Sequence, residues 1–249
     1  PTASKVVVLL EADRVIHLPF LGSHINIFVI ATPHGHLLVD TGLPAMWPWI
    51  LWRLRAEGIG RNTLRGIVLT HNHIDHTGSA AALQSMGLEL LAHREEVPYL
   101  AGQYEMPGYG KGIMGKVLEQ LDDTFLSPPA FKNVRSLDSG ENVMGSHWQV
   151  VHAPGHSPGS LSLWNTQTGA LMTGDTLTTS FGTPQGPHPV YTADLPRAMA
   201  SARKLLDMEP RMIYPGHGKV VEGSAFERVR FDLQASPDVC GGSNRVSHA

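Results

Sequence analysis

Residues 71–78 read HNHIDHTG and follow directly on the apolar run GIVLT at 66–70. Three histidines and one aspartate therefore fall within six positions, where a strand-like segment gives way to a helix expected from about Thr77. Enzymes built from alternating strands and helices place their chemistry at such turns. In extended backbone, side chains two apart point the same way, so His71, His73 and Asp75 are expected to converge while His76 points elsewhere. Packed imidazoles repel one another when protonated, and a carboxylate resists burial. A cation that takes up the lone pairs removes that penalty, so the turn predicts metal ligands aimed in two directions.

Three further strand ends supply candidates for the rest of such a site: His156 in APGHSPGS, Asp175 in TGDTL and His217 in YPGHG. Each follows an apolar extended run and stands beside glycine, which lets the backbone turn tightly near a bound ion. The only cysteine is Cys240, so the donor set is nitrogen and oxygen, compatible with zinc, manganese or iron. Zinc is the preferred expectation on ligand type.

The surrounding chain reads as one layered domain. With 249 residues, 42% of them hydrophobic, it can bury a substantial core. Charged residues make up 16% and the net charge is −3, without long basic runs. Neither a nucleic-acid track nor a membrane patch is indicated, and a small-molecule substrate fits better. A single cysteine suits a reducing cytoplasm, although a processed secreted form beginning at Pro1 is compatible too.

KVVVLL, INIFVIAT, HLLVD, GIVLT, LELLAH, WQVVHA, SLSLWN and ALMTG are strand candidates, with hairpin-like turns at TPHG and NTQTG. Helices are expected at 44–57 behind Pro44, at 77–86 before Gly87, at 194–208 capped by Asp194, and from Ser224 in a capping box with Glu227. The domain is expected to span 1–236, with a frayed tail at 237–249. On the first of these helices, Met46, Trp47, Ile50 and Leu54 share a core face. Trp49 and Trp52 face away, either under the N-terminal strands or in a homodimer contact, a pocket lip or a membrane anchor.

HNHIDH as HxHxDH, then PGHSPGS, GDTL and PGHG, with VDTG at 39–42 upstream, resembles the metallo-β-lactamase-fold superfamily from about residue 15 to 220. The resemblance implies an α/β fold, a four-layer αβ/βα sandwich with metals at one edge between two sheets. It implies that His71, His73 and His156 bind one metal, that Asp75, His76 and His217 bind a second, and that Asp175 bridges them. Asp40 then stands behind these ligands and accepts a hydrogen bond from an imidazole N–H. Local chemistry alone gives Asp40 an Asx turn with Thr41 and Gly42.

Departures narrow the match. Class B1 β-lactamases carry cysteine where Asp175 stands, B3 enzymes lack a bridging carboxylate, and flavodiiron reductases replace an early histidine with glutamate. Homoserine lactonases resemble the pattern but place tyrosine where this chain has Thr178. Glyoxalase II enzymes share GDTL but add a helical C-terminal domain, and only about 30 residues follow His217 here.

The implied activity is a dinuclear hydrolase that uses a metal-bridging hydroxide on a small ester, lactone or thioester, with Asp75 and Asp175 serving catalysis. The alternatives are a mononuclear iron persulfide dioxygenase and a small-molecule phosphodiesterase. Substrate selection is expected from the excursion 94–131 and the loop 178–191, with Tyr109, Met114, Phe181, His188 and Tyr191 as pocket walls.

Overall fold

A computed structural model describes residues 14–107 and 130–235. Strands β1 (Val15–Phe20), β2 (Ile25–Thr32), β3 (Gly35–Val39), β4 (Leu64–Leu69), β5 (Glu89–His93) and β6 (Val134–Leu137) form one sheet in that order. The first three strands pair antiparallel and the rest parallel. Strands β7 (Trp148–His152), β8 (Leu161–Asn165), β9 (Ala170–Gly174), β10 (Met212–Pro215) and β11 (Val221–Glu222) form a second sheet, ordered β11-β10-β9-β8-β7.

The unbroken apolar runs have a simple cause: both faces of each sheet are covered. Along β2, Phe28 and Ile30 join Val68, Leu91, Trp148, Val150, Leu163 and Met172 between the sheets. Ile27 and Val29 on the opposite face pack with Ile50, Leu54 and Leu83 of α1 (Trp47–Ala56) and α3 (Ala80–Ser85). Val151, Leu171 and Ile213 on the outer face of the second sheet meet Ala202, Leu205 and Leu206 of α5 (Leu195–Asp207) and Leu233 of α6 (Glu227–Ala235). Three cores between four layers give the αβ/βα sandwich that the resemblance implied.

Two smaller helices complete the described elements: α2 (Ile74–Thr77) and α4 (Val97–Leu100). Several expected boundaries move. The first helix starts at Trp47 with Pro48 in its opening turn, so Pro44 lies ahead of it. The segment expected as one helix at 77–86 is divided into α2 and α3, and the helical turn begins at Ile74. Asp194 accepts a hydrogen bond from Arg197 N and caps α5 as expected. Ser224 sits inside a 3-10 turn, Gly223–Phe226, and its hydroxyl lies 3.5 Å from Glu222, so no capping box forms with Glu227. KVVVLL and the expected tail at 237–249 lie outside the described residues.

Trp49 is half-buried edge-on against Phe20 of β1, with ring centroids 5.4 Å apart, whereas Trp52 is 64% exposed. Trp148 is fully buried between the sheets, and its indole Nε1 has no hydrogen-bond partner. Trp148→Ala is therefore expected to destabilise the fold by about 3–5 kcal/mol through the cavity it leaves. Trp148→Phe should cost less, because it also removes an unpaired N–H. Trp52→Ala should stay within about 0.5 kcal/mol. Chemical denaturation of the three variants checks the order.

Candidate metal centre

The C-terminal ends of strands from both sheets meet along one seam. Asp40 follows β3, His71 and His73 follow β4, His156 lies beyond β7, Asp175 follows β9 and His217 follows β10. His73 keeps extended backbone (φ −97°, ψ 151°) at the position just before α2, so His71 and His73 still share a side. The helical turn then carries Asp75 and His76 away. This corrects the expectation that Asp75 converges with His71 and His73: alternation stops at Ile74, three residues before the expected helix start.

Two groups of donors result. His71 Nε2, His73 Nδ1 and His156 Nε2 form a triangle with sides of 3.1, 3.1 and 3.0 Å. In the second group His76 Nε2 lies 3.3 Å from His217 Nε2, and Asp75 lies 3.3 Å from His217 and 3.9 Å from His76. Asp175 stands between the groups, Oδ1 at 3.3 Å from His76, Oδ2 at 3.6 Å from His156 and 3.3 Å from His217. Its Oδ1 is buried and makes no hydrogen bond. Gly216 permits this approach, since a Cβ there would lie 2.6 Å from Asp175 Oδ1 and 2.8 Å from His76 Cε1.

Outer hydrogen bonds fix which nitrogen of His71, His76, His156 and His217 faces inward. Asp40, buried and held at φ +62°, accepts from Thr70 N, Thr70 Oγ1 and His76 Nδ1, each at 2.8 Å. Because the Thr70 hydroxyl hydrogen goes to Asp40, its oxygen accepts from His71 Nδ1, 3.0 Å away. His71 and His76 therefore both present an unprotonated Nε2 to the seam when neutral. His217 Nδ1 donates to the His24 carbonyl, and His156 Nδ1 bonds Thr192 Oγ1 at 3.4 Å.

Charge divides the two groups. Burial, then the neighbouring rings of His76, His156 and His73, holds the His71 imidazole well below its ordinary range. Burial and then His73 push His156 down to about 3. Burial opposes the charged form of His76, but Asp175, Asp40 and Asp75 raise it to about 10. For His217 burial is again outweighed, by Asp175 and Asp75, which raise it to about 12. The carboxyls respond in kind. Burial would raise both, yet the facing histidines hold Asp75 and Asp175 below the usual carboxylate range.

The donor set fits metal ions. Three imidazole nitrogens about 3 Å apart match the spacing around an ion bound at about 2.0–2.1 Å. Each of His71, His73 and His156; His71, His76 and Asp175; and Asp75, His76 and His217 can converge on one ion. A fourth cluster, His93, Glu95 and His152, is also close-set. Its two rings stack 3.8 Å apart at 13°, and His152 Nε2 is 3.2 Å from the Pro158 carbonyl. An ion lies in the plane of each ligating ring, which two nearly parallel rings cannot share. That pair packs β5 against β7 instead, with His93 pushed down to about 4 by burial and then by His152.

Glu96 was missed by sequence reasoning. Fully buried on α4's leading edge, it accepts from Asn72 N at 2.7 Å, Gly159 N at 2.7 Å and Ser157 Oγ at 2.9 Å. Burial pushes its carboxyl up to about 7 despite those three donors. Nothing in REEV at 94–97 distinguishes it from exposed Glu95. Thr70, Thr192 and His24 were missed as well, and only Thr70's place beside His71 offered a signal.

The expected pocket walls are placed less sharply. Phe181 is 92% exposed with φ +57°, projecting from a 3-10 turn rather than walling a cavity. Exposed His188 and Tyr191 pack on each other at 4.9 Å, one residue before the Thr192 that bonds His156. Tyr109 and Met114 lie outside the described residues.

Comparison with known proteins agrees with this geometry. The family model described as metallo-beta-lactamase superfamily matches residues 21–217. The chain is 26% identical over 219 residues to probable metallo-hydrolase YflN of Bacillus subtilis (strain 168), across 81% of this chain and 83% of that protein. It is 27% identical to the atrochrysone carboxyl ACP thioesterase of Aspergillus fumigatus, across 79% of this chain but only 51% of that longer protein. Among solved structures, TTHA1623 in a di-iron-bound form is similar with a TM-score of 0.66 and 25% identity, across 86% of this chain and 97% of that one.

Proposed function

Because this chain belongs to the metallo-beta-lactamase superfamily, we propose that it is a hydrolase that works with two divalent metal ions on a small ester, lactone or thioester. The observation that carries this reading is the position of Asp175, within 3.3–3.6 Å of a histidine from each donor group. His71, His73 and His156 would hold one ion, Asp75, His76 and His217 the other, with Asp175 common to both. The relative described as a thioesterase supports an ester-type bond, and the one described as di-iron-bound supports a pair of ions. When bound, such ions lower the pKa of a shared water and polarise a carbonyl oxygen.

The chain's own residues position that chemistry. Asp40 holds His76 directly and His71 through Thr70, so one carboxylate orients a ring in each group. The side chain of Asp75 is 30% exposed against 13% for Asp175, which makes Asp75 the carboxylate open to the substrate side. Because burial is outweighed by His76 and His217, which hold its carboxyl below the usual range, it stays ionised and is suited to accept a hydrogen bond from the attacking water and orient it. Thr178 is buried, and its backbone bonds that of Gln185 in both directions, at 3.0 and 2.8 Å, so its place beside the bridging aspartate's loop is fixed by the main chain whatever side chain it carries.

The test is elemental analysis of purified protein alongside a panel of esters, lactones, thioesters and phosphodiesters. Two ions per chain and turnover of an ester-type substrate are expected. One iron per chain with oxygen uptake on glutathione persulfide, or turnover confined to phosphodiesters, would overturn the reading.

A further inference from the structure

We propose that Glu96 is a positioning residue that holds the three-histidine group in register, by tying the loop bearing His71 and His73 to the loop bearing His156. The proposal rests on the two-ion reading and adds to it a residue that touches neither ion nor substrate.

The hydrogen bonds carry it. Glu96 Oε1 accepts the backbone N–H of Asn72, which lies between His71 and His73. Oε2 accepts the backbone N–H of Gly159 and the hydroxyl of Ser157, the residue after His156. The second loop is locked around that hydroxyl: Ser157 N donates to Ser160 Oγ at 2.9 Å, and the two hydroxyls are 2.8 Å apart. With the Ser157 hydrogen committed to Glu96, Ser160 must donate to Ser157, so every hydroxyl hydrogen in the chain of bonds has one acceptor. Gly159 is needed for the approach, because a Cβ there would lie 2.1 Å from Glu96 N. The carboxylate thus joins two loops distant in sequence beside a main-chain bond in which Leu161 N donates to Thr70 O at 2.9 Å, and it adds ties at Asn72, Ser157 and Gly159, nearer the histidines themselves.

Glutamine cannot replace it. A carboxylate offers acceptors on both oxygens, whereas an amide offers one oxygen and one NH2. Whichever way the amide is turned, NH2 faces a backbone N–H, of Asn72 or of Gly159. The second donor group is anchored otherwise, His76 by Asp40 and His217 by the His24 carbonyl. Loss of the Glu96 tie should therefore be felt at one metal and not the other.

The experiment measures Zn2+ binding alone, by chelator competition, in wild type, Glu96→Gln, Glu96→Asp and Ser157→Ala. His73→Ala and His217→Ala identify the two binding steps. Glu96→Gln is expected to weaken the three-histidine step by about 10–100-fold while leaving the other within about threefold. Glu96→Asp should recover part of the loss, and Ser157→Ala, which removes one of the donors, should show a smaller shift in the same step if Glu96→Gln does not fold. Unchanged affinities, or equal losses at both steps in parallel with a lower melting temperature, would overturn the positioning role. Wild-type protein that takes up none of zinc, manganese or iron would sink the two-ion reading, and this proposal with it. Two zinc sites with no ester-type activity would leave Glu96 in its role and refute only the substrate class.

Discussion

Asp175→Ala is expected to lower turnover by at least about a thousandfold, since lost charge stabilisation of several kcal/mol converts at about 1.4 kcal/mol per factor of ten. The same change should reduce metal content below two ions per chain. Asp175 is the carboxylate that reaches both groups: its buried Oδ1 makes no hydrogen bond among the described residues and lies 3.3 Å from His76 Nε2, and its Oδ2 lies 3.6 Å from His156. Removing the carboxylate leaves His76 and His217 without their main partner, a cost they limit by shedding their protons, so retention of the fold is measured before activities are compared. Circular dichroism, elemental analysis and steady-state rates on one preparation distinguish a lost site from a lost fold. Asp175→Asn, which keeps the shape and removes the charge, should behave alike. A folded Asp175→Ala protein within tenfold of wild-type activity would refute a role between two ions.

Metal uptake at the second group should depend steeply on pH. Without ions, Asp175 and its neighbours keep His76 near 10 and His217 near 12, so both imidazoles carry protons at pH 7. A ligand must shed its proton to bind, so acid favours the metal-free form and affinity rises with pH. Each displaced proton gives about a tenfold change per pH unit, so two give up to about a hundredfold between pH 6 and 7. His71 and His156 are held neutral and add nothing to this slope. Zinc affinity measured from pH 6 to 8, with proton release followed by calorimetry in two buffers, tests the count. An affinity flat across that range would mean that His76 and His217 do not carry protons in the metal-free protein.

The architecture was legible where a strand's period carried the information. INIFVIAT and GIVLT read as strands because both of their faces are buried, and the same runs led to the residues of the seam. VIHLPF was passed over although it is β1, and VRSL and MIYP are strands too short and too mixed to stand out. The cluster at 71–76 was recognisable from its composition, but the division of its ligands was not. That depends on a helical turn beginning at Ile74, which no residue there announces; the resemblance implied a division that places Asp75 and His76 with His217, and those three donors lie together in the structure. Glu96 lay beyond reach for a different reason. Its burial is decided by Gly159, distant in sequence, and an acid at a strand end otherwise reads as a solvated turn.

The placement of the seam has a mechanical consequence. One half of the chain contributes His71, His73, Asp75 and His76, and the other contributes His156, Asp175 and His217, so neither sheet owns a finished cage. A cation gripped by both would act as a clasp between the two sheets and resist their parting. By mass action it adds about 4 kcal/mol against unfolding when free metal exceeds its dissociation constant a thousandfold. Heat tolerance and cation supply are thereby linked, and starvation for metal would loosen the whole sandwich as well as silence its chemistry.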